Sequence, residues 1–390
     1  MRIQRLAAVA ALTLVSAVPV ACDTDHGDAA SPSSVAPAES TPDGPPPDGP
    51  APSTTPAKKA QPRALPKPGN PDGHTPVPYD ADAEDTSRPD RVIGRGTPES
   101  CTSAAVVRAV EAGGVIRFTC GPTPVIITMR ETAKIKNAAG PRIVLDGGGK
   151  VTLSGGGRRR ILYMNTCDKA QGHTTSHCQD QDHPRLTVQN LVFADGDSTG
   201  EETEGGGGGA IFVRGGRVKV VNSRFVGNRC ERSDPDLGGA AIRVLDQHQD
   251  LPVYVVSSTF TGGSCANGGA LSSIGVSWSV WNSVFEDNRA TGRGANPARP
   301  GTPGGGSGGA IYTDGNLFTV ALAGTRMVDN RAEEGGGAVF FVSNDRTGTM
   351  TIDDSTLRHN TSGGFETAGL PGIFFLGAAD PIVTDSTLRR

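Results

Sequence analysis

A Gly-Gly-Ala triplet occurs five times in the second half of this 390-residue chain, and it constrains the fold more than any other feature. Successive copies are 28 to 40 residues apart, and each opens an apolar run. The copies are Gly208-Gly209-Ala210, Gly238-Gly239-Ala240, Gly268-Gly269-Ala270, Gly308-Gly309-Ala310 and Gly336-Gly337-Ala338. A period near 30 residues indicates a solenoid, whose coils bury their apolar faces against their neighbours.

A second motif lies between the triplets: Ser or Thr, one residue, an apolar residue, two more residues, and usually Asn. Its copies are residues 223–228, 258–263, 283–288, 325–330 and 355–360, and Ser386 starts another. The copy at 258–263 ends in Gly263 instead of Asn. Stacked polar side chains can hydrogen-bond from layer to layer. We therefore interpret the aligned Ser, Thr and Asn residues as structural ladders.

The apolar runs have the character of strands. Residues 218–221, 253–256 and 318–322 are short and largely apolar, and within the repeats Gly interrupts each candidate helix. Ankyrin and tetratricopeptide repeats have similar periods, but they consist of helices. The sequence therefore predicts an all-β fold, a parallel β-helix with coils stacked at roughly 4.8 Å.

One segment, residues 102–111, has a helical pattern, with apolar residues at Ala104, Val106, Val107 and Val110. It immediately precedes the first predicted strand at 114–119. A solenoid needs its terminal coil covered, because an open coil exposes strand edges. We expect this short helix to cap the N-terminal end of the coil stack.

Gly-Gly-Ala-Ile followed by Phe-x-x-Asn resembles the repeat of the polymorphic outer-membrane proteins described from chlamydiae. The resemblance covers about residues 190–390 and implies the right-handed, single-stranded, pectin-lyase-like class of parallel β-helix. That class includes lyases, hydrolases, adhesins and inert stalks, so it does not imply an activity. Unlike the chlamydial pattern, this sequence shows no region of alternating strands that would make a membrane barrel. We therefore do not expect autotransport to an outer membrane.

The N-terminus resembles a secretory signal. Arg2 and Arg5 precede an apolar run at 6–20, which is short for a membrane span, and we assign residues 1–21 to a signal peptide. Cys22 lies where a bacterial lipoprotein carries its lipid-modified Cys, although Pro19 replaces the usual Leu of a lipobox. Lipidation of Cys22 would attach the chain to the outer face of the bacterial cell membrane. The alternative is simple cleavage after Ala21.

Composition divides the rest of the chain in two. Residues 23–97 hold 16 of the 29 prolines and almost no large apolar residues, so we expect a disordered Pro-rich linker over 22–97. Extended at about 3.1 Å per residue, it would reach on the order of 200 Å and could act as a tether. The same composition also fits a segment with no spacing role. We assign residues 98–390 to the β-helix domain.

Six cysteines remain when Cys22 is set aside, an even number typical of a disulfide framework in a secreted chain. Cys230 and Cys265 each follow the central Phe of a repeat by five residues. Equivalent positions of adjacent coils lie about 5 Å apart, within the range of a disulfide. Fifteen pairings are formally possible. Spacing favours three local ones: Cys101 with Cys120, Cys167 with Cys178, and Cys230 with Cys265.

Long insertions precede three of the Gly-Gly-Ala strands, at residues 195–207, 229–237 and 290–307. We expect them to wall a groove floored by those strands. The polar residues on this floor are Arg214, Arg243, Asp246, Tyr312 and Asp314. By resemblance to pectate lyases, an Arg beside carboxylates could act as a base toward a uronic acid neutralised by Ca²⁺. The Asp and Gly-His-Gly motifs of polygalacturonases are missing.

These observations favour a surface binding or adhesion module over an enzyme. The expected partners are a cell-wall or extracellular polysaccharide or a surface protein, with contact to a membrane through the N-terminal lipid alone. The alternative is a polysaccharide lyase or glycoside hydrolase working in the groove. A net charge of −4 argues against nucleic-acid binding. We expect a monomer without cofactor or metal, apart from Ca²⁺ if the chain is a lyase.

Overall fold

The computed structural model describes residues 67–201 and 205–390. The predicted signal peptide 1–21, the lipidation site Cys22 and most of the predicted linker lie outside the described residues. Within the described part, one α-helix, α1 (Ser103–Ala112), accompanies many short strands. Short 3-10 turns occur at Tyr79–Ala81, Pro98–Ser100, Lys169–Gln171, Cys178–Asp180 and His248–Asp250.

The strands follow one another in chain order with few interruptions. The first fourteen are β1 (Arg91–Ile93), β2 (Gly114–Phe118), β3 (Val125–Thr128), β4 (Ala133–Lys134), β5 (Arg142–Ser154), β6 (Leu162–Asn165), β7 (Arg185–Ala194), β8 (Ile211–Arg214), β9 (Arg217–Val221), β10 (Arg224–Val226), β11 (Ile242–Leu245), β12 (Val253–Val256), β13 (Thr259–Thr261) and β14 (Ser264–Cys265). The others are β15 (Leu271–Ile274), β16 (Trp278–Trp281), β17 (Val284–Glu286), β18 (Arg289–Ala290), β19 (Ile311–Gly315), β20 (Thr319–Ala323), β21 (Arg326–Val328), β22 (Arg331–Ala332), β23 (Val339–Ser343), β24 (Thr349–Asp353), β25 (Thr356–Arg358), β26 (Thr361–Ser362), β27 (Ile373–Leu376), β28 (Ile382–Thr384) and β29 (Thr387–Arg389).

All the paired strands run parallel, and they form sheets of 17, eight and four strands. The 17-stranded sheet bends at a corner: β9, β12, β16, β20 and β24 pair on one side, which we call the first face, and β10, β13, β17, β21 and β25 pair on the other. The long strands β5 and β7 continue around this corner. Each coil between the two ends of the stack contributes to both sides of this corner and then adds one strand to the eight-stranded sheet. The predicted all-β parallel β-helix is confirmed.

Phenylalanine side chains form a stack inside the solenoid. The rings of Phe193, Phe225, Phe260 and Phe285 are buried and nearly parallel, with successive centroids 5.0, 4.7 and 4.8 Å apart. These distances match the spacing of neighbouring strands. The motif therefore repeats because each Phe packs on the Phe of the next coil.

The Gly-Gly-Ala repeat requires a correction in its second copy. One glycine of each copy has a positive φ, and a Cβ there would stand 2.2 to 2.4 Å from the carbonyl oxygen three residues later; these are Gly208, Gly239, Gly268, Gly308 and Gly336. The main chain pairs Gly208 with Gly239 and Ala210 with Ala241. The second copy is therefore Gly239-Ala240-Ala241, one residue later than the sequence alignment placed it.

The polar ladders are buried and lie within the solenoid, as predicted. The main-chain N–H of Ser223 donates to Ser258 Oγ at 3.1 Å, and that of Ser258 donates to Ser283 Oγ at 3.1 Å. The Asn ladder continues in the same way, with Asn330 Nδ2 donating to Asn360 Oδ1 at 2.9 Å. Each side chain forms a hydrogen bond with a main-chain group at a turn. Buried main-chain N–H and C=O groups need such partners.

Helix α1 packs against β1 and β4 at the N-terminal end of the stack and closes it with Val106 and Val110. The Thr102 hydroxyl caps the helix by accepting a hydrogen bond from the main-chain N–H of Ala105. This confirms the predicted capping helix. Among the described residues, no helix has the length and apolar character needed to cross a membrane.

The three local disulfides predicted from spacing are present. Cys101 pairs with Cys120, Cys167 with Cys178, and Cys230 with Cys265. The last joins adjacent coils, with a Cα–Cα distance of 4.8 Å that matches the coil spacing.

The predicted linker, residues 22–97, includes residues that belong to the folded domain. Residues 67–97, which we call the N-terminal strap, lie along the solenoid corner. There Asn70 and Thr75 hydrogen-bond with Asn282. Val77 and Ala81 of the strap pack on an apolar patch that includes Val256, and β1 then pairs with β2. Few large apolar residues were needed to order this segment, because turn groups of the solenoid bind its main chain.

Candidate functional site

The groove predicted from the sequence corresponds to the outward side of the eight-stranded sheet. Two ladders of side chains run along it from coil to coil. The first ladder consists of Tyr163, Phe212, Arg243, Ser272, Tyr312, Phe340 and Phe374. The second, which we call the outer ledge, consists of Asn165, Arg214, Leu245, Ile274, Asp314, Val342 and Leu376.

The inserted loops fold over the first ladder instead of standing beside it. Asn296 of the 290–307 insertion donates a hydrogen bond to the Tyr312 hydroxyl. In the 229–237 insertion, the main-chain oxygen of Asp236 accepts from Arg243 Nη1 at 2.6 Å. Glu334 fixes the longest loop, because it pairs with Arg299 at 2.7 Å.

Arg243 and Tyr312 are therefore buried, contrary to their predicted place on an open floor. Arg243 is 5% exposed and Tyr312 is 0% exposed. Burial lowers the pKa of the Arg243 guanidinium and raises the pKa of the Tyr312 hydroxyl. Tyr312 stacks on Phe340 with ring centroids 5.1 Å apart. Both residues hold the covering loops on the sheet.

A third buried residue, Arg160, was not recognised as important from the sequence. Its guanidinium lies over the Phe212 ring, 5.0 Å from the centroid, and donates to the main-chain oxygens of Gly207 and Gly208 at 2.9 and 3.2 Å. Arg160 is 0% exposed. It anchors the loop that precedes β8, and its place in the sequence, at the end of Arg158-Arg159-Arg160, gives no sign of this role.

The other three predicted site residues lie at the surface, on or beside the outer ledge. Arg214 Nε is 3.5 Å from Asp246 Oδ2, and both side chains are just over 40% exposed. Burial of the rest of the Asp246 side chain raises its carboxyl pKa, and the charge of Arg214 opposes this change. This exposed ion pair marks one end of an accessible strip.

Asp314 lies further along the same strip. Its carboxylate accepts hydrogen bonds from Asn344 Nδ2 at 2.9 Å, Asn296 Nδ2 at 3.2 Å and the Tyr312 hydroxyl at 3.3 Å. Three donors from three separate parts of the chain fix the position of this carboxylate. The loops that cover the first ladder therefore end at Asp314, whose charged carboxylate lies at their edge.

Between these two polar positions the outer ledge is apolar. Leu245 and Ile274 stand in register between Arg214 and Asp314, and Ile274 is 37% exposed. Leu317, on the turn after β19, is 65% exposed. Exposed apolar side chains grouped within a polar rim are typical of an interaction surface.

The carboxylates of this region do not form a metal site or a close acid pair. Leu245, the neighbour of Asp246, stands two coils from Asp314, which corresponds to about 9.6 Å along the stack. Retaining glycosidases need about 5 to 5.5 Å between their carboxyl groups. Across residues 67–201 and 205–390, no cluster of three or more His, Cys, Asp or Glu side chains could hold a metal ion.

Comparison with known proteins gives one local similarity. Residues 282–314 match the family model of the Chlamydia polymorphic membrane protein repeat. This segment runs from the corner after β16 to Asp314, so it contains one Ser-x-Phe-x-x-Asn motif, the longest insertion and one Gly-Gly-Ala-Ile strand. The chain is thus similar to that repeat over one coil. Neither the curated proteins nor the solved structures provided a significant match to the chain.

Proposed function

We propose that this protein is a secreted, lipid-anchored surface protein whose β-helix acts as an adhesion or partner-binding module. The observation that carries the proposal is the outer ledge, where Ile274 is exposed and Leu245 is partly buried between Arg214 and Asp314. A protein or glycan laid along this strip would cover apolar surface and meet a fixed charge at each end.

The likeness to a polymorphic membrane protein repeat supports a place at the cell surface. Three disulfides also suit an oxidising extracellular environment. Lipid attachment at Cys22 would keep the protein on the outer face of the cell membrane, and the segment before the strap would carry the β-helix away from it.

The alternative function is a polysaccharide lyase or glycoside hydrolase. One observation favours it, because the raised carboxyl pKa of Asp246 is a property that general acids need. Of the two arginines on the predicted groove floor, Arg243 is buried and bound to the Asp236 carbonyl, and Arg214 is paired with the Asp246 carboxylate. This arrangement makes the binding function the better supported of the two.

The experiment is a binding screen of the secreted chain against arrayed extracellular glycans and surface proteins, with mass spectrometry of the soluble products. We expect retention without cleavage, and we expect Ile274→Asp to abolish it by placing a charge in the apolar centre. The matched control is Ile126→Asp, because Ile126 is 69% exposed on a different strand, β3. Formation of soluble products that depends on Asp246, or equal loss of binding in both variants, would contradict the proposal.

A further inference from the structure

Three arginines are stacked on the first face of the 17-stranded sheet. Arg142, Arg185 and Arg217 begin β5, β7 and β9 and stand directly opposite one another in the strand register. Parallel neighbours lie about 4.8 Å apart. Like charges placed directly opposite each other destabilise a sheet. The three arginines therefore lower the stability of the sheet, although the fold does not require arginine at these positions.

The charges of this arginine column are only partly balanced. Arg142 Nη1 is 3.6 Å from Glu84, and Arg185 pairs with Asp182, while the two arginine side chains are 53% and 47% exposed. The Arg217 guanidinium has no hydrogen bond or ion pair with the described residues, although the charge of Asp182 acts on it. Donor groups of all three arginines thus remain available to a ligand.

The column forms one wall of a cavity of about 540 Å³. The N-terminal strap contributes the acidic residues Asp80, Asp82 and Asp85 to the lining of the same cavity. We call this space the bipolar cleft, because its lining carries both positive and negative side chains. Glu84 closes one part of it by pairing with Lys219 at 2.8 Å.

Two tyrosines add aromatic surface to the same space. Tyr79 is 88% exposed on the strap, and Tyr254 is partly buried on β12. Aromatic side chains present a flat apolar surface together with a polar hydroxyl. Sugar rings can pack on such a surface, whereas a simple inorganic ion would not use it.

We propose that the bipolar cleft binds a zwitterionic polysaccharide, an extended sugar chain that carries both carboxylate and ammonium groups. The carboxylates pair with the arginine column, where the planar guanidinium groups suit bidentate contacts. The ammonium groups face Asp80, Asp82 and Asp85. This site shares no lining residue with the outer ledge, so it goes beyond the function proposed above.

The test uses the full secreted chain and four soluble β-linked glucan-type polymers with related backbones. Carboxymethyl chitosan carries both charges, carboxymethyl cellulose is anionic, chitosan is cationic, and hydroxyethyl cellulose is neutral. Binding is measured by calorimetry at low salt and at a mildly acidic pH that keeps the sugar amino groups protonated. We expect carboxymethyl chitosan to bind at least about tenfold more tightly than the other polymers, which corresponds to about 1.4 kcal/mol.

Two variants assign the binding to the cleft. Arg217→Gln should weaken binding of carboxymethyl chitosan about tenfold, and Asp82→Asn should reduce its advantage over carboxymethyl cellulose. Arg331→Gln is the matched control, because this arginine is equally a surface residue, 58% exposed, on the four-stranded sheet. Circular dichroism confirms that each variant is folded.

Several outcomes would overturn the proposal. Carboxymethyl cellulose or chitosan could bind as tightly as the zwitterion, which would show that net charge alone is recognised. Arg331→Gln could lose as much affinity as Arg217→Gln, which would show non-specific attraction. Absence of binding to all four polymers would also refute it. Because the ledge variant Ile274→Asp leaves the cleft intact, failure here is distinguishable from failure of the proposed function.

Discussion

Asn330 Nδ2 donates a hydrogen bond to Asn360 Oδ1 at 2.9 Å in the next coil. The same nitrogen also donates to the Phe285 carbonyl at 3.0 Å in the preceding coil. A single side chain thus connects three layers of the solenoid. Because Asn330 is 0% exposed, water cannot replace these partners.

We expect Asn330→Ala to lower the free energy of unfolding by about 3 kcal/mol, since it leaves several buried polar groups without partners. Chemical denaturation measures the change. Arg331→Ala is the control, because this neighbouring side chain is exposed and its surface ion pair contributes less than about 0.5 kcal/mol. Equal effects of the two substitutions would show that the Asn ladder does not stabilise the stack.

The gap in the Asn pattern at Gly263 gives a second prediction. A Cβ at this position would stand 2.0 Å from the Gly269 carbonyl oxygen, so the main chain itself fills the space that Asn occupies in other coils. Gly263→Asn should therefore destabilise the protein by at least about 1 to 3 kcal/mol, as overpacking does, although it restores the repeat. A higher melting temperature for this variant would contradict the argument.

The glycine that opens each Gly-Gly-Ala strand can be tested at Gly268. Its φ is +54°, and a Cβ would lie 2.2 Å from the Leu271 carbonyl oxygen. Gly275 has a similar φ of +64°, but no atom lies within 4 Å of a Cβ there. Gly275→Ala should cost about 1 kcal/mol from the positive φ alone, and Gly268→Ala should cost about 3 kcal/mol or more. Comparable thermal unfolding of the two variants would exclude the steric explanation.

The repeat pattern was sufficient to predict the solenoid, because the contacts that stabilise it join equivalent positions. Phe225 and Phe260 stack because they occupy the same place in consecutive coils. Arg243 and Tyr312 were harder to interpret. Alternation along a strand shows that a side chain points outward, but it does not show whether a loop from elsewhere in the sequence covers it.

The strap was missed for a different physical reason. Its contacts come from main-chain groups and from corner residues such as Asn282, whose backbone has a positive φ and whose side chain faces the strap. Such contacts leave no periodic apolar pattern in residues 67–97. The arginine column, in contrast, had a detectable signal: Arg142 and Arg185 each follow a proline at the start of a strand.

Asp146 makes strap attachment depend on pH. Its burial raises the carboxyl pKa, but hydrogen bonds from Thr86 of the strap, from Asn190 and from other donors outweigh this effect, so that the pKa is lowered overall. A lowered folded-state pKa means that Asp146 contributes stability above its unfolded pKa of about 3.9, and that this stability is lost as the pH falls through the folded value. The difference in unfolding free energy between the wild type and Asp146→Asn should therefore shrink below about pH 4. Parallel stability curves down to the acid limit would refute the assignment.

The boundary of the folded domain gives the last prediction. A chain that begins at residue 98, where composition placed the boundary, lacks strand β1 and exposes the patch on which Val77 and Ala81 pack. It also leaves Asp146 without its partner Thr86 and Lys219 without Glu84. We expect residues 98–390 to unfold at a lower temperature and to aggregate more readily than residues 67–390, because apolar surface and buried polar groups lose their cover. Differential scanning calorimetry and light scattering of the two chains measure this difference. If they melt together and remain equally monodisperse, the strap makes no contribution to the stability of the solenoid.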